Sequence, residues 1–281
     1  NNCGVIDLSN SLIENAKYLS EVNDFALHSH NCYEIIYLKE GSLRVTIGEK
    51  QYDAKGPALI FVSKLEQHSL KVTGNAYKRY YLCISPAGAG SLIRDYTLLT
   101  LLSNRHADFC HVLDAACFEA DADRIFKACV AEQQTALPYS AEQQAALLCE
   151  LLILIYRQNP SLFSSENNKS ISIIWKIQCR FEQNYQEKFS LKSLAEEYHM
   201  STCYLSHLFK TVTGYSIMQY LTMCRLSVSR QLLSETDMSV TEIVYATGFS
   251  DSSNFSRLFK REMSCSPLEY RKYQKAERKL R

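Results

Sequence analysis

The residues best able to do chemistry lie near the front of the 281-residue chain, in His28-Ser-His30-Asn-Cys-Tyr-Glu34. In an extended strand alternate side chains share a face, so His28, His30 and Glu34 project together. Imidazoles and a carboxylate at that spacing are donors for a divalent transition metal. The same groups equally suit hydrogen bonds within a barrel or to a small organic ligand. Tyr37, Arg44, Arg79 and Tyr81 occur in the same strand-like region, and arginine among tyrosines suits a carboxylate or a hydroxylated molecule. Cys32 beside His30 is a candidate nucleophile, set against an inert buried thiol. The chain has no Gly-x-Ser-x-Gly elbow, glycine-rich phosphate loop or His-Glu-x-x-His pair, so it lacks three common catalytic and nucleotide-binding signatures.

These side chains sit in short runs between residues 25 and 85: FALHSH, EIIYL, SLRVTI, ALIFVS, HSLKV and YKRYYLCIS. Turn signals at Lys39-Glu40-Gly41, Gly48-Glu49-Lys50 and Lys55-Gly56-Pro57 separate them, which predicts a small antiparallel barrel or sandwich. From about residue 91 the period becomes helical, over Leu92–Leu102, Asp121–Gln134 and Ser140–Arg157. The last of these is apolar around most of its circumference, so it must pack on its own barrel or on a second subunit. The polar stretch 158–170 reads as a linker, and everything after Ile171 as helix. Hydrophobic residues make up 46% and charged residues 22%, which excludes a disordered or fibrous chain. Ala145–Tyr156 is the longest apolar run, too short to span a bilayer, so no membrane partner is expected. The first ten residues lack the basic and apolar segments of a signal peptide. The 11 cysteines, scattered from Cys3 to Cys265 without a Cys-x-x-Cys pair, read as reduced thiols in a cytoplasm.

Charge is distributed unevenly. Residues 170–281 hold 16 Lys and Arg against 11 Asp and Glu, whereas residues 1–169 hold 15 against 19. A basic back half suggests an anionic partner. That half also contains an internal repeat. Tyr204-Leu-Ser-His-Leu-Phe-Lys210 aligns with Asn254-Phe-Ser-Arg-Leu-Phe-Lys260 at an offset of 50, with four of seven positions identical. This spacing fits two helix–turn–helix units joined by a helix over roughly Ile217–Leu233. Ser190, Ser201 and Ser250-Asp251 are placed as N-caps. Ser239-Val-Thr-Glu242 and Ser266-Pro-Leu-Glu269 are capping boxes, and Gly214 and Gly248 fall at turns. With Leu205, Leu208 and Phe209 facing inward, the first unit presents Thr202, Cys203, Tyr204, Ser206, His207 and Lys210. With Leu258 and Phe259 inward, the second presents Ser252, Ser253, Asn254, Ser256, Arg257, Lys260 and Arg261. Arg257 is suited to bridge guanine O6 and N7, the lysines to contact phosphates, and the capped helix N-termini to offer amide donors to the DNA backbone.

Residues 173–273 resemble the DNA-binding domain of AraC/XylS-type transcription regulators. The resemblance is carried by Leu194-Ala195, the two repeat segments, Thr213-Gly214-Tyr-Ser216, Arg225-Leu226, Glu242-Ile243, Gly248-Phe249-Ser-Asp251 and Ser266-Pro267-Leu-Glu-Tyr-Arg271. It implies two helix–turn–helix units reading successive major-groove segments. Ser229 and Val244 replace the usual small alanines, Ser264 the usual glycine, and His207 a longer basic residue. In the front half, the His28–Glu34 segment and the six residues to Gly41 resemble the first motif of the cupin barrel. His68 stands where the second motif supplies another histidine, although the usual Pro-Gly before it is missing. The cupin resemblance implies a site of His28, His30, Glu34 and His68 for Fe(II), Mn(II), Ni(II) or Zn(II).

The expected fold is therefore α+β. It comprises an N-terminal cupin-like β-barrel (1–90), a helical dimerisation region (91–160), a linker (161–170) and a C-terminal all-α domain with two helix–turn–helix units (171–281). The expected function is that of a cytoplasmic, dimeric, sequence-specific DNA-binding transcription regulator. It would bind double-stranded operator DNA and RNA polymerase, as an activator where its site lies suitably against a promoter. A small-molecule effector is expected among His28, His30, Glu34, Tyr37, Arg44, His68, Arg79 and Tyr81. No enzymatic activity and no required cofactor are expected, a barrel-bound divalent metal being the exception weighed. The rival readings are a metal-dependent cupin enzyme with a helical interaction domain, and a DNA-binding protein whose barrel is only a dimer scaffold.

Overall fold

The computed structural model describes residues 12–93, 95–103, 109–135, 137–163 and 168–279. The N-terminal segment with Cys3, part of the expected linker and the last two residues, Leu280 and Arg281, lie outside them. The chain forms two compact units: residues 1–179 with Thr211–Gly214, and Arg180–Lys210 with Tyr215–Arg281.

The first unit is an antiparallel sheet of β1 (Ile13–Leu19), β2 (Phe25–His28), β3 (Tyr33–Ile47), β4 (Lys50–Lys55), β5 (Ala58–Val62), β6 (His68–Ile84) and β7 (Val112–Asp114). Its strand order is β1-β6-β3-β5-β7, with β2 added to β6 and β4 to β3. The two long strands, β3 and β6, pair along nearly their whole length, with register shifts between Leu38 and Glu40 and between Gly41 and Leu43. Gly41 at this irregularity has φ +100, and a Cβ there would sit 1.9 Å from the Ala76 carbonyl oxygen, so only glycine fits. The inner face closes around Ile36, Leu38, Leu43, Val45, Ile60, Val62 and Leu70.

The outer face carries Tyr33, Ile35, Tyr37, Leu59, Phe61 and Leu82, and helices cover it. They are α1 (Pro86–Leu92), α2 (Tyr96–Ser103), α3 (Glu119–Thr135) and α4 (Ser140–Gln158). The single helix expected over Leu92–Leu102 is thus two, broken at Ile93, whose backbone is extended. Nor does the sheet end at residue 90. Strand β7 returns to pair with β5 through Ala58 and Asp114, so the helical region is part of the barrel unit rather than a separate segment. The apolar stripe of α4, Leu147, Leu148, Leu151, Leu152 and Ile155, is buried in this same core, which settles its use in favour of its own barrel. The expected linker is also shorter than the sequence suggests. A 3-10 turn at Pro160–Leu162 follows α4, Phe163 is buried, and α5 (Asn168–Gln183) has already begun. Trp175 of α5 stacks on Tyr33 at 5.5 Å and fills the space over Gly90, where a Cβ would meet its Nε1 at 2.0 Å.

The second unit is helical. Helix α6 (Leu191–Glu197) and α7 (Thr202–Thr213) form one pair, and α9 (Val240–Ala246) and α10 (Ser252–Met263) the other. Between them runs α8 (Ile217–Glu235), and α11 (Pro267–Lys279) follows. The helix starts are fixed locally: Ser190 accepts from the Ser193 amide, and Ser216, Ser239 and Ser266 make capping boxes with Gln219, Glu242 and Glu269. Gly214 and Gly248 both have positive φ, as the turns require. Among the described residues no helix is long and apolar enough to cross a membrane.

Candidate functional site

The inner face of the barrel lines a half-open cavity of about 330 Å³. Strand β1 contributes Asn15, Lys17 and Leu19, and β2 contributes Phe25 and His28. Glu34 of β3 and His30 just before that strand add to the lining, while β6 supplies His68, Leu70, Arg79, Tyr81 and Cys83. Six of the eight expected ligand residues are therefore brought together.

Tyr37 and Arg44 are not among them. Tyr37 is three residues from Glu34, so strand alternation turns it to the outer face, where its ring packs 5.3 Å from Phe126 of α3. Arg44 shares Glu34's parity, but the register shift between Leu38 and Glu40 puts one extra residue into β3 and reverses it. Leu43 and Val45 point inward, and Arg44 reaches outward to Asp53 on β4 at 2.7 Å. The lining residues that sequence reading missed have weaker signals. Cys83 follows from the parity of Arg79 and Tyr81, whereas β1, with the pattern IENAKYL, shows no clean alternation.

At one end of the cavity His28, His30 and His68 place their ligating nitrogens within 4.8 Å of one another. The Nδ1 of each ring lies against a backbone carbonyl: His28 on Ala26 at 2.8 Å, His30 on Cys32 at 3.0 Å and His68 on Glu66 at 3.0 Å. A carbonyl only accepts, so a proton on Nδ1 satisfies each of these contacts and turns Nε2 toward the cluster. His30 Nδ1 also lies 3.2 Å from Cys32 Sγ, and His30 Nε2 needs a proton of its own where it donates to Glu34. Glu34 completes it, with Oε2 3.1 Å from His30 Nε2 and 3.2 Å from His68 Nε2. His68 Nε2 has no hydrogen-bond partner, so its approach to Glu34 is a close contact only. Burial by itself would raise the Glu34 carboxyl, but the two imidazoles outweigh it and hold the group far below the usual carboxylate range. His28 is displaced downward, by burial first and then by the neighbouring His68 ring. Cys32 Sγ lies beside His30 Nδ1, but a hydrogen bond shared with Cys83, together with burial, pushes its thiol well above the ordinary value, which favours the inert thiol over the nucleophile.

At the other end Arg79 is 2% exposed. Its guanidinium lies 4.2 Å from the Phe25 ring centroid and 5.7 Å from that of Tyr81. Burial pulls it down from its usual value, yet arginine remains charged at any physiological pH.

The second region with chemistry is the outer face of α7 and α10. In α7, Leu205, Leu208 and Phe209 are buried, and Thr202, Cys203, Tyr204, His207 and Lys210 are exposed, with Ser206 half-buried. In α10 the buried pair is Phe255 and Phe259, Leu258 being only partly covered. Ser253, Asn254, Arg257, Lys260 and Arg261 are exposed, and Ser252 and Ser256 half-buried. Arg257 donates to Asn254 Oδ1 at 3.0 Å, which holds the side chain along the helix face. Arg261 is engaged with Glu262 at 2.7 Å. The N-terminal amides expected to face phosphate are already used: those of Ser253 and Asn254 donate to Asp251, and that of Tyr204 to Ser201. Part of the basic C-terminal stretch is likewise committed within the unit. Arg271 donates to the carbonyls of Leu233 and Met238, and Lys275 pairs with Asp237. The Ser229 hydroxyl, where an alanine is usual, is buried and donates to the Arg225 carbonyl at 2.8 Å.

Two family models match the chain, an AraC-like ligand binding domain over residues 20–151 and a helix-turn-helix domain over residues 194–273. The HTH-type transcriptional activator RhaS of Enterobacter sp. (strain 638) is 28% identical over 247 residues, spanning 88% of this chain and 87% of the relative. RhaS of Escherichia coli O1:K1 is 26% identical over 256 residues, at 88% of each chain. Among solved structures, ToxT from Vibrio cholerae O395 superposes with a TM-score of 0.57 at 17% identity, over 92% of this chain and 95% of that one.

Proposed function

From a chain that is an AraC-type DNA-binding transcription regulator with an N-terminal ligand-binding domain, we infer that a small molecule in the barrel cavity sets how well α7 and α10 engage DNA. The observation that carries this is one chain holding both a cavity lined with buried polar groups and two exposed, basic helix faces. Each helix–turn–helix unit would lay its second helix in a major groove, with Arg257 reading a base edge and Lys210 and Lys260 holding phosphates. Ligand binding would favour those arrangements of the chain that contact DNA, a population shift worth no more than the ligand's difference in affinity for the two states. The protein acts as a homodimer that recruits RNA polymerase. Its direction is activation, as the names of the RhaS relatives state for those proteins. On this reading the cavity binds without turnover. The test is fluorescence anisotropy of the purified chain against duplexes tiled upstream of its own gene, at two salt concentrations. Selective binding that weakens with salt is expected; binding equally weak on every duplex would overturn it.

The histidine cluster supports a second proposal for the same cavity. His28, His30, His68 and Glu34 would hold a divalent transition metal, because the three Nδ1 atoms lie against carbonyls, the ligating nitrogens come within 4.8 Å of one another, and the Nε2 atoms of His30 and His68 turn to the Glu34 carboxylate. Once bound, such an ion supplies a Lewis-acid anchor for a ligand oxygen. Metal content of the purified protein tests this. Stoichiometric metal, absent in the double variant His30→Ala/Glu34→Ala, is expected, and metal retained by that variant would place the site elsewhere.

A further inference from the structure

We propose that the molecule taken up by the barrel is a compact organic acid bearing a single carboxylate, and that Arg79 is the residue that holds it. The assignment deepens the reading of the barrel as an effector site and rests on it.

Arg79 is almost wholly enclosed, and neither its Nε nor its Nη1 has a hydrogen-bond partner. A buried guanidinium with idle donors is costly unless an anion arrives to use them. The cavity does not supply that anion. Its one acidic lining residue is Glu34, whose Oε2 lies between His30 and His68 at 3.1 and 3.2 Å. The Phe25 face beneath the guanidinium stabilises its charge but accepts no second N–H, because a ring meets the plane of the group and not its edge. Nε–H and Nη1–H lie on different edges of the guanidinium and both are left for a ligand; a carboxylate that takes either one sets its second oxygen beside the adjacent Nη2.

Neighbouring groups extend the cradle. The Tyr81 hydroxyl accepts from Asn15 Nδ2 at 3.2 Å and so keeps its own proton to donate. The Tyr77 hydroxyl, with its ring 5.8 Å from the guanidinium, is buried without a partner, but Tyr77 is not among the residues lining the cavity. Charge balance selects the anion. Arg79 and the exposed Lys17 bring two positive charges to the lining and Glu34 one negative, a balance that suits one carboxylate and leaves a phosphate dianion under-compensated. Leu19, Phe25 and Leu70 give the rest of the molecule apolar contact, and about 330 Å³ accommodates a compact acid.

The test follows the Nε–Hε resonance of Arg79 in the ¹⁵N-labelled full chain, identified by its loss in Arg79→Lys. Sodium acetate is titrated at constant ionic strength, with acetamide as the neutral isostere, before and after removal of metal by a chelator. A saturable shift with acetate, none with acetamide and no dependence on chelation is expected. In parallel melting experiments benzoate and lactate should stabilise the protein more than benzamide and lactamide. Affinity for the best acid should fall on the order of tenfold in Arg79→Lys, which keeps the charge but loses the fork. An Arg79 signal that ignores acetate, or answers acetamide equally, would overturn the proposal, as would a response abolished by chelation, since the carboxylate would then sit on a metal. The wild-type titrations stand even where the variant fails to fold. Selective DNA binding with a silent Arg79 removes only this assignment, whereas an Arg79 response without any selective DNA binding removes the regulator reading and leaves the acid site standing.

Discussion

The barrel cavity and the outer face of α10 handle charged groups in opposite ways. In the cavity His68, Arg79 and Glu34 are 0%, 2% and 7% exposed. There each group must be compensated by neighbours or by a ligand, because low-dielectric surroundings make an unpaired charge expensive. On α10, Arg257 and Lys260 stand in solvent, which solvates them until DNA arrives. The inner set is therefore tied to stability and to ligand choice at once, while the outer set is free of the fold. Substitutions should separate the two regions accordingly.

The largest effect is expected where the fold alone is at stake. Leu148 of α4 is fully enclosed in the core that the helices share with the sheet. Leu148→Ala should cost about 2–5 kcal/mol of unfolding free energy, read from urea denaturation. An unchanged stability with loss of dimer mass would instead make this helix a subunit contact and break the contrast from the barrel side. Arg257→Ala should do the reverse. Stability should stay within about 0.5 kcal/mol, since an exposed side chain with one local hydrogen bond is removed. Operator affinity should fall by about 1–3 kcal/mol, with relaxed preference at one base position. If anisotropy showed neither loss, α10 would not be the reading helix.

The same contrast explains what was legible beforehand. The DNA-facing half was readable because its signals are local: a repeat at an offset of 50, serine caps three residues from their partners, and glycines at positive-φ turns. His28, His30 and Glu34 were readable by residue type and close spacing, but not by the strand alternation expected of them: His28 ends β2 after a register shift, His30 lies in the connection and Glu34 is on β3. Beyond Leu38 the register shift inverts the inside and outside of β3, and no periodic rule applied from the sequence could carry Arg44 across it. Tyr37 is different, because its parity with Glu34 already placed it on the helix-facing side. Strand β7 and the division of the chain inside α5 were hidden too. A three-residue strand has no pattern of its own, and a polar stretch reads as a linker even where Phe163 and Trp175 anchor it.

Lys260→Ala sharpens the picture of the outer face by its uniformity. A phosphate contact carries no sequence information, so binding should weaken on every duplex alike. The slope of log affinity against log salt should become shallower by about 0.9. A change confined to one operator base would instead make Lys260 a base contact.

The smallest expected effect compares the two repeats directly. Gly214 after α7 and Ser264 after α10 are related by the same offset of 50, and both backbones are left-handed, with φ +79 and +59. The first unit meets that geometry with the residue that adopts it freely. The second uses a serine, whose Cβ crowds the following carbonyl at about 1–2 kcal/mol. Glycine removes the crowding but loses about 0.5–1 kcal/mol through the freedom it gains when unfolded. The two contributions oppose each other, so Ser264→Gly should stabilise the protein by up to about 1 kcal/mol, while Gly214→Ser should destabilise it. Because Ser264 is exposed and lies beyond the reading residues of α10, operator affinity should not follow either change in stability. Paired melting and anisotropy measurements on the two variants check this, and a Ser264→Gly protein that melts lower would show that the serine side chain supports the turn after α10.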